Sequence, residues 1–259
     1  MTVREALSEA ERRLSAAGIE TPRVDAELLV AHVLGASRTG VYADLDAEVE
    51  GLEPLLARRE RREPLAYVLG EWGFRRLTLK TDARALVPRP ETETVVERAL
   101  ALLAGSPSPR VLDVGVGSGA IALALKDERP DALVTGVDVS VDALALAREN
   151  AERLGLDVEL REGDVETAAA GWDLVVSNPP YVESLEGFQP ELGHEPRVAL
   201  VGSGFHERLA RSARTRFLVL EVGDGQAAEV AAVLEEAGYR DVTISRDLAG
   251  RDRVVEGAR

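Results

Sequence analysis

The sequence has 259 residues, a formal net charge of −15 and no cysteine. This length accommodates one large domain, or a medium-sized domain with a small one. The missing cysteines exclude disulfides and thiolate nucleophiles, and three scattered histidines lead us to predict no metal site. Stable nucleic-acid binding needs clustered Lys and Arg, which the acidic balance disfavours.

No stretch approaches the roughly 18 consecutive apolar residues of a membrane-spanning helix. The first 14 residues contain three glutamates and lack the continuous apolar core of a secretory signal. We therefore expect a cytoplasmic protein that makes no membrane contact.

Residues 1–70 are predicted to form a small helical domain. Thr2 and Glu5 fit a capping box at the start of the first helix, and Thr21, which precedes a proline, is predicted to cap the second. A third helix carries the run ARRERRE at 57–63. We interpret this run as a solvated helix face rather than a basic contact surface.

Residues 71–88 alternate apolar and polar side chains around a turn, which predicts a β-hairpin linker. The segment PRPETE then begins a helix, because proline suits its first position and acidic residues suit its first turn. From Arg110 onward, strand, turn and helix alternate. Residues 89–259 are therefore predicted to form an α/β domain with a doubly wound, Rossmann-like sheet.

A glycine-rich loop follows the first strand of this domain. Glycines there permit a tight strand-to-helix turn and a close approach of the backbone to a ligand. The candidate cofactor-binding residues of the loop are Asp113, Gly115, Val116, Gly117 and Gly119. The same glycines also satisfy a dinucleotide fingerprint, so the loop alone leaves a nicotinamide dinucleotide open.

Two further carboxylates favour the methyltransferase type of cofactor site. The second strand ends at Asp138, where ligands of open α/β sheets bind, and its carboxylate can accept hydrogen bonds from both ribose hydroxyls. The third strand leads to Asp164, which is positioned to accept from an adenine amine. Asp113, before the glycines, is typical of the methyltransferase glycine motif and is not required in dinucleotide folds.

The fourth strand ends in the sequence Ser-Asn178-Pro179-Pro180-Tyr181. Two prolines stiffen this turn and remove two backbone donors, which leaves acceptors and an aromatic ring. An amide or aromatic amine nitrogen is a poor nucleophile, because its lone pair is delocalised. We assign the Asn178 side-chain oxygen and the Pro179 carbonyl to hold the two hydrogens of such a nitrogen, beside the cofactor. Tyr181 would pack on the planar group, with Pro180 completing the substrate contact.

The sequence resembles the release factor glutamine methyltransferases, the HemK/PrmC family, over nearly its whole length. The resemblance rests on eight segments in the family's order: EPLAYVLGEWGF, LVPRPETE, DVGVGSGAIALAL, VDVSVDALALARENA, SNPPYV, EPRVAL, LEVGDGQ and RDLAGRDRVV. The Asn-Pro-Pro-Tyr turn is shared with adenine methyltransferases of DNA and RNA. The PRPETE segment and the helical N-terminal domain are more specific to the glutamine enzymes.

This resemblance implies a class I, S-adenosylmethionine-dependent methyltransferase. Its substrate would be the glutamine of the Gly-Gly-Gln loop in peptide chain release factors, and its N-terminal domain would help to recognise that partner. It also implies that Asn178 and Pro179 bind the glutamine amide, that Asp138 binds the ribose and that the loop 115–119 binds the cofactor. We further expect a monomer.

Two positions depart from the family pattern. Val116 stands where a small polar residue is usual, and the segment 197–217 is short, which predicts a trimmed helix or a compromised substrate lid. The alternatives are an adenine methyltransferase of DNA or RNA, a cofactor-binding protein with impaired turnover, and a nicotinamide dehydrogenase.

Overall fold

The computed structural model describes residues 1–182, 184 and 186–259. The chain divides into two compact units. The first consists of Met1–Glu71 together with Phe188–His194, and the second of Trp72–Gly187 together with Glu195–Arg259. The sequence pattern did not predict that a short segment, far along the chain, packs with the N-terminal helices.

The first unit is helical. Its helices are α1 (Val3–Ala16), α2 (Pro22–Leu34), α3 (Leu52–Glu60) and α4 (Leu65–Leu69). The capping box of α1 is present, since the Thr2 side chain accepts from the Glu5 amide and the Glu5 carboxylate accepts from the Thr2 amide. Thr21 occupies the N-cap position of α2 with Pro22 after it, as predicted, but its side chain makes no capping bond: the Thr21 hydroxyl donates instead to the Asp25 carboxylate, at 2.9 Å.

The arginine-rich run 57–63 is not a solvated face, contrary to the sequence interpretation. Arg59 is only 6% exposed and donates to Asp25 at 2.7 Å and to Glu191 at 2.9 Å. Arg62 donates to the other oxygen of Glu191, at 2.7 Å. Because a buried charge requires a partner, these arginines hold acidic side chains from α2 and from the segment Phe188–His194. Local charge pattern carries no sign of such distant partners.

A hairpin near the start of the second unit is formed by β1 (Glu71–Phe74) and β2 (Leu77–Lys80). It is shorter than predicted, because residues 81–88 contain no strand. It is more than a linker. Phe74 and Leu79 are fully buried in the apolar core of the second unit. The Asn150 carboxamide accepts from the Lys80 amide at 2.7 Å and donates to the Lys80 carbonyl at 3.1 Å, which fastens β2 to the helix that carries Asn150.

A seven-stranded sheet forms the centre of the second unit. Its strands are β3 (Arg110–Val114), β4 (Leu133–Asp138), β5 (Glu159–Glu162), β6 (Trp172–Ser177), β7 (Thr215–Glu221), β8 (Arg240–Arg246) and β9 (Asp252–Ala258). They lie in the order β5-β4-β3-β6-β7-β9-β8. The first five are parallel, and β9 runs antiparallel to both β7 and β8.

Helices cover both faces of this sheet. They are α5 (Glu93–Leu102), α6 (Ala120–Glu128), α7 (Val141–Leu154), α8 (Arg197–Leu200), α9 (Phe205–Ser212) and α10 (Ala227–Glu236). One apolar cluster joins the sheet to α5, α6 and α7, and a second joins it to α9 and α10. The predicted doubly wound fold is therefore confirmed. No helix among the described residues is long and apolar enough to cross a membrane.

Strand order sets the place of the site. The chain builds outward from β3 to β5 and then returns to lay β6 on the other side of β3. Ligands of open α/β sheets bind where the strand order reverses in this way, outside the carboxyl ends of the strands. The Ser177 hydroxyl at the end of β6 donates to the Val114 carbonyl at the end of β3, at 2.6 Å, and so locks the two strand ends together.

Candidate active site

A cavity of about 310 Å³ opens at this edge of the sheet, and all the residues that line it belong to the second unit. Its size falls at the lower end of the roughly 300–1,000 Å³ of small-molecule sites. The predicted site residues that line it are Gly115, Val116, Gly117, Asp138, Asp164, Asn178 and Pro180. Those that do not line it are Asp113, Gly119, Pro179 and Tyr181.

The glycine loop forms one wall. Gly115, Gly117 and Gly119 have φ angles of +77°, +55° and +89°, in the left-handed region that favours glycine. The amides of Gly115 and Val116 both donate to the Val137 carbonyl, at 2.8 and 2.9 Å. These bonds hold the loop against the end of β4, so its conformation exists before any ligand binds.

Val116 is accommodated by a glycine on the neighbouring strand. A β-carbon on Gly136 would stand 2.6 Å from a Val116 methyl group, which is closer than any real contact. The Val116 side chain thus fills the space above β4, and it is only 4% exposed. The departure from the family pattern at this position has a matching packing partner.

Asp138 lies between the glycine loop and the start of α7. Its Oδ2 accepts from the Gly117 amide and its Oδ1 from the Ser140 amide, both at 2.9 Å. Each carboxylate oxygen has a second lone pair. Asp138 can therefore accept hydrogen bonds from a ligand while it also fixes the loop.

Asp113 is buried behind the glycine loop. Its Oδ2 accepts from the Ala122 amide at 3.0 Å, whereas no donor among the described residues reaches its buried Oδ1. Burial raises the pKa of Asp113 to about 7, and the nearby Asp138 charge adds to this shift. A buried carboxylate with one oxygen lacking a donor is unfavourable in its charged form, which accounts for the direction of this shift.

Asp164 forms the adjoining wall with α9. Its Oδ1 accepts from the Val165 amide at 2.7 Å, and its Oδ2 accepts from Arg208 at 2.8 Å. Arg208 and Phe205, both from α9, also line the cavity. The short segment 197–217 thus folds as two short helices, α8 and α9, and supplies part of the cavity wall.

The corner after β6 is held by buried polar groups. The Asn178 Nδ2 donates to the Thr92 hydroxyl at 3.1 Å, and that hydroxyl donates to the Glu221 carboxylate at 2.6 Å. The Tyr181 hydroxyl faces the other Glu221 oxygen at 3.5 Å. Burial is the main reason why the pKa of Glu221 rises to about 7 and that of Tyr181 to about 12.

The loop after β7 supports the same corner. Gln226 donates to the Tyr181 carbonyl at 3.1 Å and accepts from the Gly223 amide at 3.0 Å. A β-carbon on Gly223 would stand 2.9 Å from the Tyr181 ring. Tyr181 is therefore wedged between Glu221 and this loop.

Sequence reasoning missed four residues whose hydrogen bonds hold the walls of the site: Thr92, Glu221, Gln226 and Asn150. One signal was present for Glu221: it is a charged residue at the end of the strongly apolar strand RFLVLE, and it is only 1% exposed. A carboxylate in that position is unfavourable unless it has a partner. No comparable signal marks Thr92, since threonine is common at helix starts.

Solved structures share the fold of this chain. The hMettl16 catalytic domain in complex with MAT2A 3'UTR hairpin 1 superposes with a TM-score of 0.58 at 15% identity, covering 79% of this chain and 80% of that one. A methyltransferase from Pyrococcus furiosus superposes with a TM-score of 0.51 at 18% identity, covering 70% and 87%. At these identities the likeness shows the fold alone.

Sequence comparisons are more specific. Residues 5–70 match the family model of the PrmC N-terminal domain, and residues 97–195 match that of the methyltransferase small domain. A release factor glutamine methyltransferase from Deinococcus radiodurans is 42% identical over 100% of this chain and 99% of its own length. One from Escherichia coli K12 is 39% identical over 97% and 96%. The chain belongs to the release factor glutamine methyltransferase family.

Proposed function

We propose that this protein transfers a methyl group from S-adenosylmethionine to the side-chain amide nitrogen of the glutamine in the Gly-Gly-Gln motif of peptide chain release factors. One observation carries the proposal. In a chain of this family, the Asn178 carboxamide is held by Thr92 at the wall of the cavity that Asp138 and the glycine loop also line. A translation factor as substrate implies that the enzyme works in the cytoplasm, and we propose that it acts as a monomer.

The residues present fit the cofactor. Asp138 offers lone pairs for ribose hydroxyls, and the positive-φ glycines leave the loop backbone free of side chains. Asp113 does not line the cavity; it supports the loop from behind, where its Oδ2 accepts from the Ala122 amide. When bound, S-adenosylmethionine supplies a methyl group carried on a positively charged sulfur.

Two acceptors at the corner are suited to a primary amide. The Asn178 Nδ2 is engaged by Thr92, which leaves the Asn178 Oδ1 without a donor among the described residues. We assign this oxygen and the Pro179 carbonyl to the two N–H bonds of the glutamine amide. Holding two reactants in a productive geometry contributes roughly 7–11 kcal/mol, whereas one hydrogen bond contributes about 1–3 kcal/mol. Positioning therefore dominates.

Tyr181 has a supporting role in this proposal. Its hydroxyl faces Glu221, its ring lies against Gly223 and its carbonyl accepts from Gln226. That the Tyr181 ring stacks on the substrate amide stays a prediction. The observed contacts of Tyr181 support a role in stiffening the corner, which keeps Asn178 in place.

The alternatives are less well supported. Relatives that span the whole chain at 38–42% identity carry the name release factor glutamine methyltransferase, and the nucleic-acid complexes resemble the chain in fold alone. A protein that only binds cofactor would not need an acceptor pair at the corner. A nicotinamide dehydrogenase would need neither the acceptor pair nor Asp113.

The direct test offers radiolabelled S-adenosylmethionine to the purified protein with one substrate at a time. We expect label on an intact release factor and none on a matched release factor whose Gly-Gly-Gln glutamine is replaced by alanine. Duplex DNA and structured RNA serve as parallel arms. Label on either nucleic acid, or equal label on both release factors, would overturn the proposal.

A further inference from the structure

Thr92 ends a short helical turn, Pro90–Thr92, that leads directly into α5, and its own backbone angles are helical, with φ −65° and ψ −19°. An N-cap residue has non-helical angles, so the Thr92 hydroxyl is not needed as a cap, and it makes no capping bond to the described first turn. Here the hydroxyl faces the site instead, with the Glu221 Oε2 at 2.6 Å and the Asn178 Nδ2 at 3.1 Å. Thr92 is only 4% exposed, so water does not compete strongly for either bond.

The order of donors in this chain of hydrogen bonds follows from chemistry. A hydroxyl has one hydrogen, and a buried carboxylate is the stronger acceptor for it. Once the Thr92 hydrogen points at Glu221, the hydroxyl can only accept from Asn178. It therefore selects the NH₂ end of that carboxamide and turns the Asn178 oxygen away, toward the space where an amide substrate needs an acceptor.

We propose that Thr92 and Glu221 are positioning residues for the reaction, which act by fixing which end of the Asn178 carboxamide faces the substrate. The inference rests on the proposed function for its consequence on turnover. The orientation of Asn178 itself is a property of this chain and is measurable without a substrate. A rotated carboxamide would present two hydrogens to the substrate nitrogen's own hydrogens and would repel them.

Glu221 has the surroundings that such a role requires. Arg253, which is 7% exposed, favours its charged form, whereas burial and the Glu91 charge oppose it. Tyr181 faces its Oε1, and His206 contacts its backbone carbonyl at 2.8 Å. The pKa of Glu221 is raised to about 7, so its proton is lost near neutral pH. Protonated Glu221 would donate to Thr92 and reverse the chain, so turnover should rise as pH increases through about 7.

The Thr92–Glu221 bond could instead serve only stability, because it also ties the start of α5 to the end of β7. Thr92→Val removes the hydroxyl and keeps the shape, whereas Thr92→Ser keeps the hydroxyl. A positioning role predicts that the valine variant lowers kcat by about tenfold or more, with cofactor affinity unchanged, and that serine restores kcat to within about threefold. A purely structural role predicts that the valine variant loses stability, measured as Tm, with no selective fall in kcat, and that serine restores Tm.

A double-mutant cycle makes the comparison sharper. If Thr92 acts through Asn178, Thr92→Val should change kcat by less than about twofold in an Asn178→Ala background. Equal effects of Thr92→Val in both backgrounds would overturn the inference. So would a valine variant with the wild-type kcat.

A second measurement does not depend on turnover. In protein labelled with ¹⁵N-asparagine, the Asn178 side-chain NH₂ signals are those that vanish in Asn178→Ala. We expect the chemical shifts of these signals to change with pH near neutrality in the wild type, as Glu221 loses its proton. The Thr92→Val and Glu221→Gln variants should lose this pH response. Unchanged titration in both variants would refute the orienting chain, even if methyl transfer is normal. Absent methyl transfer with the expected titration would refute only the proposed function.

Discussion

Gly202 lies so close to Pro180 that a β-carbon on Gly202 would stand 2.9 Å from the Pro180 carbonyl oxygen. Beside this contact, the Gly202 amide donates to the Val182 carbonyl, and the Val182 amide donates to the Leu200 carbonyl, both at 3.1 Å. The shortened segment after α8 thus pairs with the chain that leaves the corner. This pairing explains how a trimmed segment still covers the Asn-Pro-Pro-Tyr turn.

Gly202→Ala should therefore disturb the corner. Its backbone angles are acceptable to alanine, so the effect comes from overlap with Pro180, which typically costs about 1–3 kcal/mol in a well-packed site. We expect kcat for methyl transfer to fall by about tenfold, with a small decrease in Tm. Gly105→Ala is the matched control, because a β-carbon there meets nothing within 4 Å. Equal rates for the two variants would contradict the packing argument.

Asn178→Ala removes the acceptor assigned to the substrate amide. We expect the variant to fold and to bind S-adenosylmethionine, and to lose methyl transfer by about 3 kcal/mol or more, on the scale of one preorganised polar group. Single-turnover kinetics with a release factor measure the loss, and circular dichroism checks the fold. A rate within a few-fold of wild type would show that the side chain has another role.

Asp138→Ala should weaken cofactor binding in two ways. It removes the acceptor for ribose hydroxyls, and it releases the Gly117 amide that holds the glycine loop. We expect the Kd by titration calorimetry to rise by about tenfold or more, which corresponds to about 1.4 kcal/mol. Asp142→Ala removes an exposed carboxylate of α7 and serves as the control. Matching Kd values would rule out the ribose role.

The raised pKa of Asp113 leads us to expect a pH dependence of stability. Its pKa is raised from 3.8 to about 7 in the folded protein, chiefly by burial, so between these values the folded state binds a proton that the unfolded state has lost. The free energy of unfolding must then decrease as pH rises through that window. Asp113→Asn mimics the protonated side chain. In cofactor-free protein, we expect Tm to fall less between pH 5.5 and 8 in this variant than in wild type, and a larger fall would reverse the assigned sign.

Asn150 connects the hairpin to the glycine loop. Its Nδ2 donates to the Ser118 carbonyl at 2.9 Å as well as to the Lys80 carbonyl, and the side chain is fully buried. Asn150→Ala leaves three backbone groups without partners, at about 1–3 kcal/mol for each that stays dry. We expect a clear decrease in Tm and a weaker affinity for S-adenosylmethionine. Glu152→Ala, on the exposed side of α7, should change neither.

The main features of the fold followed from local pattern. Alternating strands and helices after Arg110 predicted the doubly wound sheet, and the helix-start signals of the first 70 residues, at Thr2 and Thr21, predicted the helical unit. These features depend on the spacing of apolar residues along the chain, which differs between strands and helices and can be recognised within a short segment. The glycine loop, Asp138 and the stiff turn at Asn178 were likewise readable, since each lies at a strand end where an α/β sheet binds ligands.

The burial of polar residues and their pairing with distant residues could not be predicted from local sequence pattern. Thr92 and Glu221 lie 129 positions apart in the chain, and their bond exists because α5 begins beside the end of β7. Arg59 is likewise a buried partner of Glu191, 132 positions away, although it sits in a run that is typical of a solvated face. A residue's charge is written in the sequence. Whether that charged group contacts water or a protein partner depends on which distant segments the fold packs against it. In this protein, the buried Glu221 carboxylate accepts from Thr92, and Thr92 in turn fixes which end of the Asn178 carboxamide faces the cavity.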